Sequence, residues 1–227
     1  MSVKNGAPYL KAQVASILPQ LGEHDELVVC DDHSTDDSLA VLESFNDNRI
    51  RIFKSPDSGV VASFGLGLAN CRGDMIFLAD QDDVWVPHKI DTMCSMLKTW
   101  DLAVCDCALI GENQAIHMES FFRWNKSGTG LFRNLFRNSY MGCCMAFTRE
   151  VRDRALPFPE GIAVHDYWIG LISELYFRPV FIHEPLVLHR KHGSNYSTTG
   201  RQSSQPYSRR ISQRLQLIKN LVSRTNG

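Results

Sequence analysis

The chain has 227 residues, of which 44% are hydrophobic and 22% are charged, and its formal net charge is −1. This composition is typical of one globular domain, or of one domain with a small appendage. The near-zero charge argues against nucleic acid as the main partner. No apolar run approaches the roughly 18 residues that a membrane-spanning helix needs, and the N-terminus lacks the apolar core of a signal peptide. A cytoplasmic location is therefore predicted.

Strands and helices are predicted to alternate along the first half of the chain. Short apolar runs typical of buried strands occur at 27–30, 75–79 and 102–104, and residues 49–54 alternate as a strand with Ile50 and Ile52 on one face. Helical patterns surround them, at 8–21, after Ser34, at 60–69 and after Pro87. This alternation predicts an α/β fold with a mostly parallel central sheet and helices on both faces. In such sheets, ligands bind beyond the carboxyl ends of the strands.

Three carboxylates follow directly after the predicted strand at 75–79, namely Asp80, Asp82 and Asp83. Carboxylates at the end of a buried strand repel one another and lose solvation, so they require a compensating cation. Hard oxygen ligands favour Mg²⁺ or Mn²⁺, whose coordination shell is typically completed by substrate phosphates. A solvated acidic turn is the alternative interpretation. Asp31 and Asp32 also follow a predicted strand, which indicates one shared site.

The chain has seven cysteines, and four of them lie close together in two short segments: Cys105, Cys107, Cys143 and Cys144. These spacings differ from the C-x₂-C spacing that is usual for zinc, and both segments are apolar. Buried, reduced thiols are the prediction, and a zinc site is the alternative.

The end of the chain is basic, with no acidic residue from Arg201 onward. Ile211, Leu215, Ile218 and Val222 recur there at helical spacing. We therefore predict a main domain at 1–200, followed at 201–227 by a basic loop and an amphipathic helix. Two alternatives stay open for that helix: it packs on its own domain, or residues 208–224 lie peripherally on the inner face of the cell membrane.

Several motifs occur together in one order along the chain. They are Asn5-Gly6-Ala7 with Tyr9 and Leu10, Asp31-Asp32-His33-Ser34-Thr35-Asp36, Asp80-Gln81-Asp82-Asp83-Val84-Trp85 with Pro87 and Lys89, His165-Asp166-Tyr167-Trp168, and Arg190-Lys191-His192-Gly193 with Asn195. Together they resemble the motifs of a bacterial family 2 glycosyltransferase with the GT-A fold, of the rhamnosyltransferase-like kind. The resemblance covers most of the chain, from residue 1 to about residue 200, and the acidic block ending in Val-Trp is its most specific part.

The resemblance implies an inverting transfer of a sugar from a nucleotide-diphosphate donor, a UDP- or dTDP-sugar, to a hydroxyl. A glycan or lipid-linked acceptor in cell-surface polysaccharide synthesis is expected. Asp80 and Asp82 would hold Mg²⁺ or Mn²⁺ against the donor diphosphate, and His192 would be a further metal contact. Asp166 would be the base that deprotonates the acceptor.

The resemblance also implies the remaining contacts of the site. Asn5, Asp31 and Asp32 would bind the nucleotide, since carboxylates accept hydrogen bonds from the imide of a pyrimidine. Asp80 and Arg190 would contact the donor diphosphate. The expected acceptor side consists of Gly142, Cys143, His165 and Trp168. Helix capping is the alternative role for Asp31, Asp32 and Asp166, and a structural role is the alternative for His192.

The start of the chain departs from the family pattern. Only Met1, Ser2 and Val3 precede Lys4, where the family's first strand has several more apolar residues. The first strand is therefore predicted to be truncated. A non-catalytic protein that binds sugar nucleotides is the alternative function, because a cut central strand would disturb the site.

Overall fold

The computed structural model describes residues 1–192 and 207–225, which form an α/β fold. In that part of the chain the strands are β1 (Ser2–Val3), β2 (Leu27–Asp31), β3 (Ile50–Lys54), β4 (Met75–Phe77), β5 (Val84–Trp85), β6 (Leu102–Ile110), β7 (Ile116–Met118), β8 (Met145–Thr148) and β9 (Pro179–Arg190). The α-helices are α1 (Ala7–Ile17), α2 (Ser38–Glu43), α3 (Val60–Asn70), α4 (Lys89–Leu97), α5 (Phe121–Asn125), α6 (Leu131–Phe136), α7 (Arg149–Ala155), α8 (His165–Tyr176) and α9 (Tyr207–Thr225).

The first sheet is small and entirely parallel. It has the order β1-β2-β3, and Leu27 of β2 pairs with Ile50 of β3. All five residues of β2 are buried. Its continuous apolar run is what a strand covered on both faces requires. The acidic end of β2, at Asp31 and Asp32, therefore lies at the carboxyl edge of a buried strand.

The second sheet has six strands in the order β4-β8-β6-β9-β5, with β7 paired to β6. Only β6 and β9 are parallel, and the other pairs are antiparallel. The predicted predominance of parallel strands thus holds for the first sheet, while the second is mixed. One antiparallel pair follows from the connection, because β6 ends at Ile110 and the chain returns after a short turn as β7, and a short connection joins only antiparallel strands.

A cleft of about 640 Å³ lies between β2 and β4, beside Met1. The amine of Met1 donates a 2.7 Å hydrogen bond to the carbonyl of Val28, and the N–H of Cys30 donates to the carbonyl of Met1. Apolar side chains line the cleft, among them Leu27, Phe64, Leu68, Ile76 and Leu78. Strand β1 covers only Ser2–Val3. The truncation of the first strand stays a prediction.

Helix α9 packs on the main domain through one of its faces. Leu217 and Leu221 are buried, and Arg224 donates hydrogen bonds to the backbone carbonyls of 155–157. Leu215, Ile218 and Val222 point to solvent. The predicted boundary between residues 200 and 201 lies outside the described residues. Within the described ranges, no helix combines the length and the apolar character that crossing a bilayer requires.

Candidate active site

The loop after β1 joins the two acidic motifs. The Asn5 side chain accepts a 2.8 Å hydrogen bond from the N–H of Thr35, which follows β2. Lys4 and Gln81 exchange two hydrogen bonds, which tie the same loop to the segment after β4. A Cβ at Gly6 would press against the end of the Gln81 side chain, so a larger residue there would displace Gln81 from its hydrogen bonds with Lys4. The predicted nucleotide residue Asn5 thus lies between the two motifs.

Asp31 and Asp32 are both buried at the end of β2. Asp31 accepts a hydrogen bond from the N–H of Ser34. Burial opposes ionisation of Asp32, but hydrogen bonds from the N–H of Gly59 and from Lys4 hold its pKa below the usual value. Asp32 is therefore a carboxylate that anchors neighbouring loops, and Asp31 has the single hydrogen bond of a turn that follows a strand.

Asp80, Asp82 and Asp83 form a dense group of carboxylates after β4. Burial, followed by the charges of Asp83 and Asp82, raises the pKa of Asp80 to about 8. Burial and Asp83 also raise the pKa of Asp82. The charge of Asp166 adds to the effect on Asp80, which puts the predicted base and the acidic group in one electrostatic environment. Such a group favours a divalent cation, and its oxygen atoms suit Mg²⁺ or Mn²⁺.

The end of β9 brings two more predicted residues to this group. Nε2 of His192 lies 2.8 Å from Oδ2 of Asp82, and the His192 ring stacks on Tyr9 at 4.5 Å between centroids. The guanidinium of Arg190 donates to the backbone carbonyl of Asp82 and lies over the same tyrosine ring. The structure therefore brings Arg190 and His192 to the acidic group.

A second cluster lies behind the acidic group. Single ligand atoms of Asp83, Cys143 and His189 all lie within 4.8 Å of one another, and the three residues are buried. This spacing suits a metal ion, although its members differ from the predicted set of Asp80, Asp82 and His192. Burial disfavours charge on both partners, but the Asp83–His189 contact of 2.9 Å lowers the pKa of Asp83 and raises that of His189 well above the usual value. Asp83 and His189 thus form an ion pair, in which protonated His189 already compensates the charge of Asp83.

Asp166 lies in the first turn of α8. Burial raises its pKa to about 6, while the N–H groups of Gly142 and Tyr167 partly oppose this rise by donating to its two oxygens. Val164 is the residue that caps the helix, so Asp166 is one of its first internal residues. A carboxylate with this pKa is ionised at neutral pH and is basic enough to take a proton from a hydroxyl that is being activated.

Of the four residues expected on the acceptor side, only Gly142 contacts the predicted base directly, through its N–H. His165 is buried and stacks on Phe64 at 3.9 Å between centroids, and neither of its ring nitrogens has a hydrogen-bond partner. Burial lowers the pKa of His165 to about 3, so the ring is neutral.

The other two residues differ from the expectation. Trp168 is fully buried and donates to the backbone carbonyl of Ala155, because it lies two positions after Asp166 and so faces the opposite side of α8. The Cys143 side chain is also fully buried, with its thiol 3.8 Å from His189. Both side chains are therefore buried in the core, and their place on the acceptor side stays a prediction.

Three side chains near the site had no assigned role in the sequence interpretation. Lys89 is fully buried, donates to the carbonyl of Cys143 and lies 4.0 Å from the Trp85 ring. His189 pairs with Asp83, and Tyr9 supports His192 and Arg190. Lys89 and Tyr9 both belong to motifs that carry the family resemblance, so their place in the sequence could have indicated a role. His189 belongs to none of those motifs, and no pattern distinguishes it from an ordinary strand residue.

The site therefore combines an acidic group that favours a cation, basic side chains beside that group, and the partly buried carboxylate of Asp166, whose pKa is raised. This combination suits the departure of a phosphate leaving group and the deprotonation of a hydroxyl.

A family model described as glycosyl transferase family 2 matches residues 1–154. An uncharacterized glycosyltransferase of Nostoc sp. is 25% identical over 84% of this chain and 63% of its own length. The Escherichia coli UDP-Glc:alpha-D-GlcNAc-diphosphoundecaprenol beta-1,3-glucosyltransferase WfgD is 26% identical over 75% of this chain and 67% of its own length. The chain thus spans roughly two thirds of the length of these relatives.

Solved structures support the GT-A fold. The Staphylococcus aureus TarS 1–349 complex with UDP-GlcNAc superposes with a TM-score of 0.74 at 16% identity, over 96% of this chain and 65% of that one. Glucosyl-3-phosphoglycerate synthase from Mycobacterium tuberculosis, in complex with Mn²⁺ and UDP-glucose, has a TM-score of 0.59 at 17% identity, over 98% of this chain and 77% of that one. The predicted GT-A fold is confirmed by these similarities.

Proposed function

Because the chain belongs to glycosyl transferase family 2, we propose that it transfers a sugar from a UDP- or dTDP-sugar to a hydroxyl, with inversion and with a divalent cation. The observation that carries the proposal is the position of Asp166, a partly buried carboxylate with a pKa of about 6 whose charge acts on Asp80. One carboxylate is thus available as a base beside a group of carboxylates that favours a cation. An inverting transfer requires a base that activates the acceptor, and a cation stabilises the diphosphate leaving group.

Asp80 and Asp82, with His192, are the residues that would hold Mg²⁺ or Mn²⁺. The donor set fits, because carboxylate oxygens dominate it and because the pKa values of both aspartates are raised in the absence of a compensating charge. When bound, the cation would neutralise charge that develops on the diphosphate leaving group. Mn²⁺ in the Mycobacterium structure and in the mannosyltransferase of Pyrobaculum calidifontis supports this assignment.

The protein's own residues account for the other steps. Arg190, held over Tyr9 by the end of β9, is oriented to contact the diphosphate. Asn5 and Asp31, at the junction of the two loops, bind the nucleoside. Asp166 accepts the proton of the acceptor hydroxyl, and the N–H of Gly142 keeps the carboxylate oriented during the transfer. Its raised pKa makes Asp166 a stronger base than an exposed aspartate.

The acceptor is a glycan or a lipid-linked saccharide in cell-surface polysaccharide synthesis. Support comes from WfgD and WfaP of Escherichia coli, whose names state a GlcNAc-diphosphoundecaprenol acceptor. An inner-membrane-facing cytoplasmic location follows from this acceptor class.

A screen of labelled UDP- and dTDP-sugars tests the proposal. With Mn²⁺ present we expect slow release of free sugar from one donor, faster transfer to a soluble GlcNAc-diphospholipid analogue, and loss of both in EDTA. Donor affinity by calorimetry without release of sugar would instead mark a non-catalytic sugar-nucleotide-binding protein.

A further inference from the structure

Basic and apolar side chains share one surface of the protein, which we call the basic apolar face. It consists of residues 121–137, which include α5 and α6, and of α9. Residues 121–137 contain four basic residues and no acidic one, and residues 207–225 contain five basic residues and no acidic one. The whole chain has 24 basic and 25 acidic residues, so the remainder has 15 basic residues against 25 acidic ones. Positive charge is therefore concentrated in these two segments, and the rest of the chain is acidic.

The apolar side chains of this face are unusually exposed. Phe132 is 79% exposed and Phe136 is 72% exposed, one helical turn apart on α6, and Trp124 of α5 is 45% exposed. On α9, Leu215 is 62% exposed and Val222 is 53% exposed. Exposed aromatic residues beside cations are rare on surfaces that face only water, and they are typical of surfaces that bind a partner.

Direct contacts between α5, α6 and α9 join these helices into one face. The guanidinium of Arg214 in α9 donates a 2.6 Å hydrogen bond to the carbonyl of Phe136, and it lies 5.9 Å from the Phe136 ring. Arg137, at the end of α6, donates to the carbonyl of Trp124 in α5. The aromatic and the amphipathic helices are thus held at fixed relative positions.

The same helices are anchored close to the predicted base. Asn134 of α6 is buried and donates to the carboxylate of Glu174 in α8. The hydroxyl of Tyr167 donates to the carbonyls of Asn134 and Leu135. Tyr167 directly follows Asp166 in the chain. The basic apolar face therefore borders the side of the site at which the acceptor is deprotonated.

We propose that the basic apolar face docks on an anionic lipid surface, with Phe132 and Phe136 inserted at the level of the headgroups. The charge complementarity favours this occupant, because anionic headgroups attract exposed basic side chains such as Arg123, Lys126, Arg133 and Lys219, while the acidic remainder of the protein is repelled. Exposed aromatic and aliphatic side chains next to arginine and lysine are the combination that interfacial helices use. The inference deepens the proposed function and rests on it for the acceptor class, because it brings the site to a lipid-linked acceptor.

Sedimentation with vesicles tests the docking. The full chain is mixed with vesicles of phosphatidylcholine alone, and with vesicles that also contain phosphatidylglycerol. We expect binding to the anionic vesicles only. The double variant Phe132→Ser/Phe136→Ser and the double variant Arg123→Gln/Lys126→Gln should each lower the partition coefficient at least about tenfold. Ile116→Ser removes an apolar side chain that is 62% exposed outside this face, and it should leave binding unchanged.

Three outcomes would overturn the proposal. Equal sedimentation of the wild type and both double variants excludes the face as the docking surface. Loss of binding in the arginine–lysine variant with full retention in the phenylalanine variant indicates a polyanion site without insertion. A dimer in sedimentation equilibrium that the phenylalanine variant abolishes means that a second copy covers the face.

The donor-hydrolysis assay distinguishes a failure of the docking proposal from a failure of the proposed function. It uses a water-soluble sugar nucleotide and no lipid, so the surface variants should hydrolyse the donor at the wild-type rate. Vesicle binding without any hydrolysis in the wild type contradicts the proposed function alone, whereas hydrolysis without vesicle binding contradicts the docking alone.

Discussion

The N–H of Gly142 donates a 2.8 Å hydrogen bond to Oδ2 of Asp166. The bond joins the turn before β8 to the first turn of α8, two segments that are 24 residues apart in the chain. It fixes one oxygen of the carboxylate, while burial raises the pKa to about 6. Asp166 is therefore held in place in an environment that disfavours its charged form, which is a condition for a base rather than for a simple helix cap.

The raised pKa of Asp166 predicts a pH-dependent cost in stability. The pKa of about 6 in the folded state exceeds the unfolded value of 3.8. The contribution of this carboxyl to the free energy of unfolding is therefore fully present below about pH 3.8, and it is lost as the pH rises through 6. Asp166→Asn should therefore raise the free energy of unfolding at pH 8 by about 1–2 kcal/mol, a range reduced because the side chain keeps partial exposure. Urea unfolding at pH 8 and pH 4 measures the difference, which should vanish at pH 4. A variant that is less stable than the wild type at pH 8 would contradict the prediction.

Removal of one carboxylate should uncouple donor binding from the cation. Asp82→Asn deletes a charge whose partners include His192, and calorimetry should show the same weak donor affinity with and without Mn²⁺. Asp74→Asn, at a side chain that is 89% exposed before β4, is the matched control and should keep the dependence on Mn²⁺. A metal-dependent affinity that survives Asp82→Asn would refute this ligand assignment.

The buried pair of Asp83 and His189 should behave as a unit. His189→Gln leaves a buried carboxylate without its cation, which costs about 3–5 kcal/mol of unfolding free energy. Asp83→Asn combined with His189→Gln should cost markedly less than the sum of the two single changes, because no charge then remains unpaired. Urea unfolding of the four proteins in EDTA gives the coupling energy. Additive costs would mean that the 2.9 Å contact does not stabilise the fold.

The cleft between β2 and β4 should accept an added strand. A variant extended before Met1 by about five β-branched residues, the length of an average strand, gains backbone hydrogen bonds and buries apolar side chains against Leu27 and Ile76. We expect its melting temperature to rise by about 3 °C or more. An extension of equal length made of glycine and serine is the control. Equal melting temperatures of the two extended forms would show that the cleft does not bind a strand.

Much of the fold was predictable because the sequence patterns that indicate strands and helices involve residues close together in the chain. The apolar run before Asp31 and the run before Asp80 each predict a buried strand that ends in charge, and both strands are present. The pairing in the second sheet was not predictable, because β8 lies between β4 and β6 although it follows both in sequence. No residue pattern in a short apolar strand specifies which neighbour it will pair with.

The site, like the fold, was only partly predictable from the sequence. The acidic motif identified Asp82 from sequence, and the structure adds its 2.8 Å contact with His192, more than 100 residues later. The buried orientation of Trp168 was missed because a motif gives order along the chain and not the direction in which a side chain points. The surface around Phe132 and Phe136 was also missed, since residues 120–137 have a mixed composition and exposure depends on the packing of α6 against α8.

Turnover by Asp166→Asn tests the central claim most directly. The labelled donor identified in the screen is incubated with Mn²⁺ and the soluble GlcNAc-diphospholipid analogue, and transfer is followed for the wild type, for Asp166→Asn and for Asp153→Asn, a control whose side chain is 59% exposed. If Asp166 is the base, kcat falls at least about 10²-fold in Asp166→Asn while donor affinity is roughly kept, and Asp153→Asn is unaffected. Transfer by Asp166→Asn at the wild-type rate, or an equal loss of donor affinity, would contradict the account.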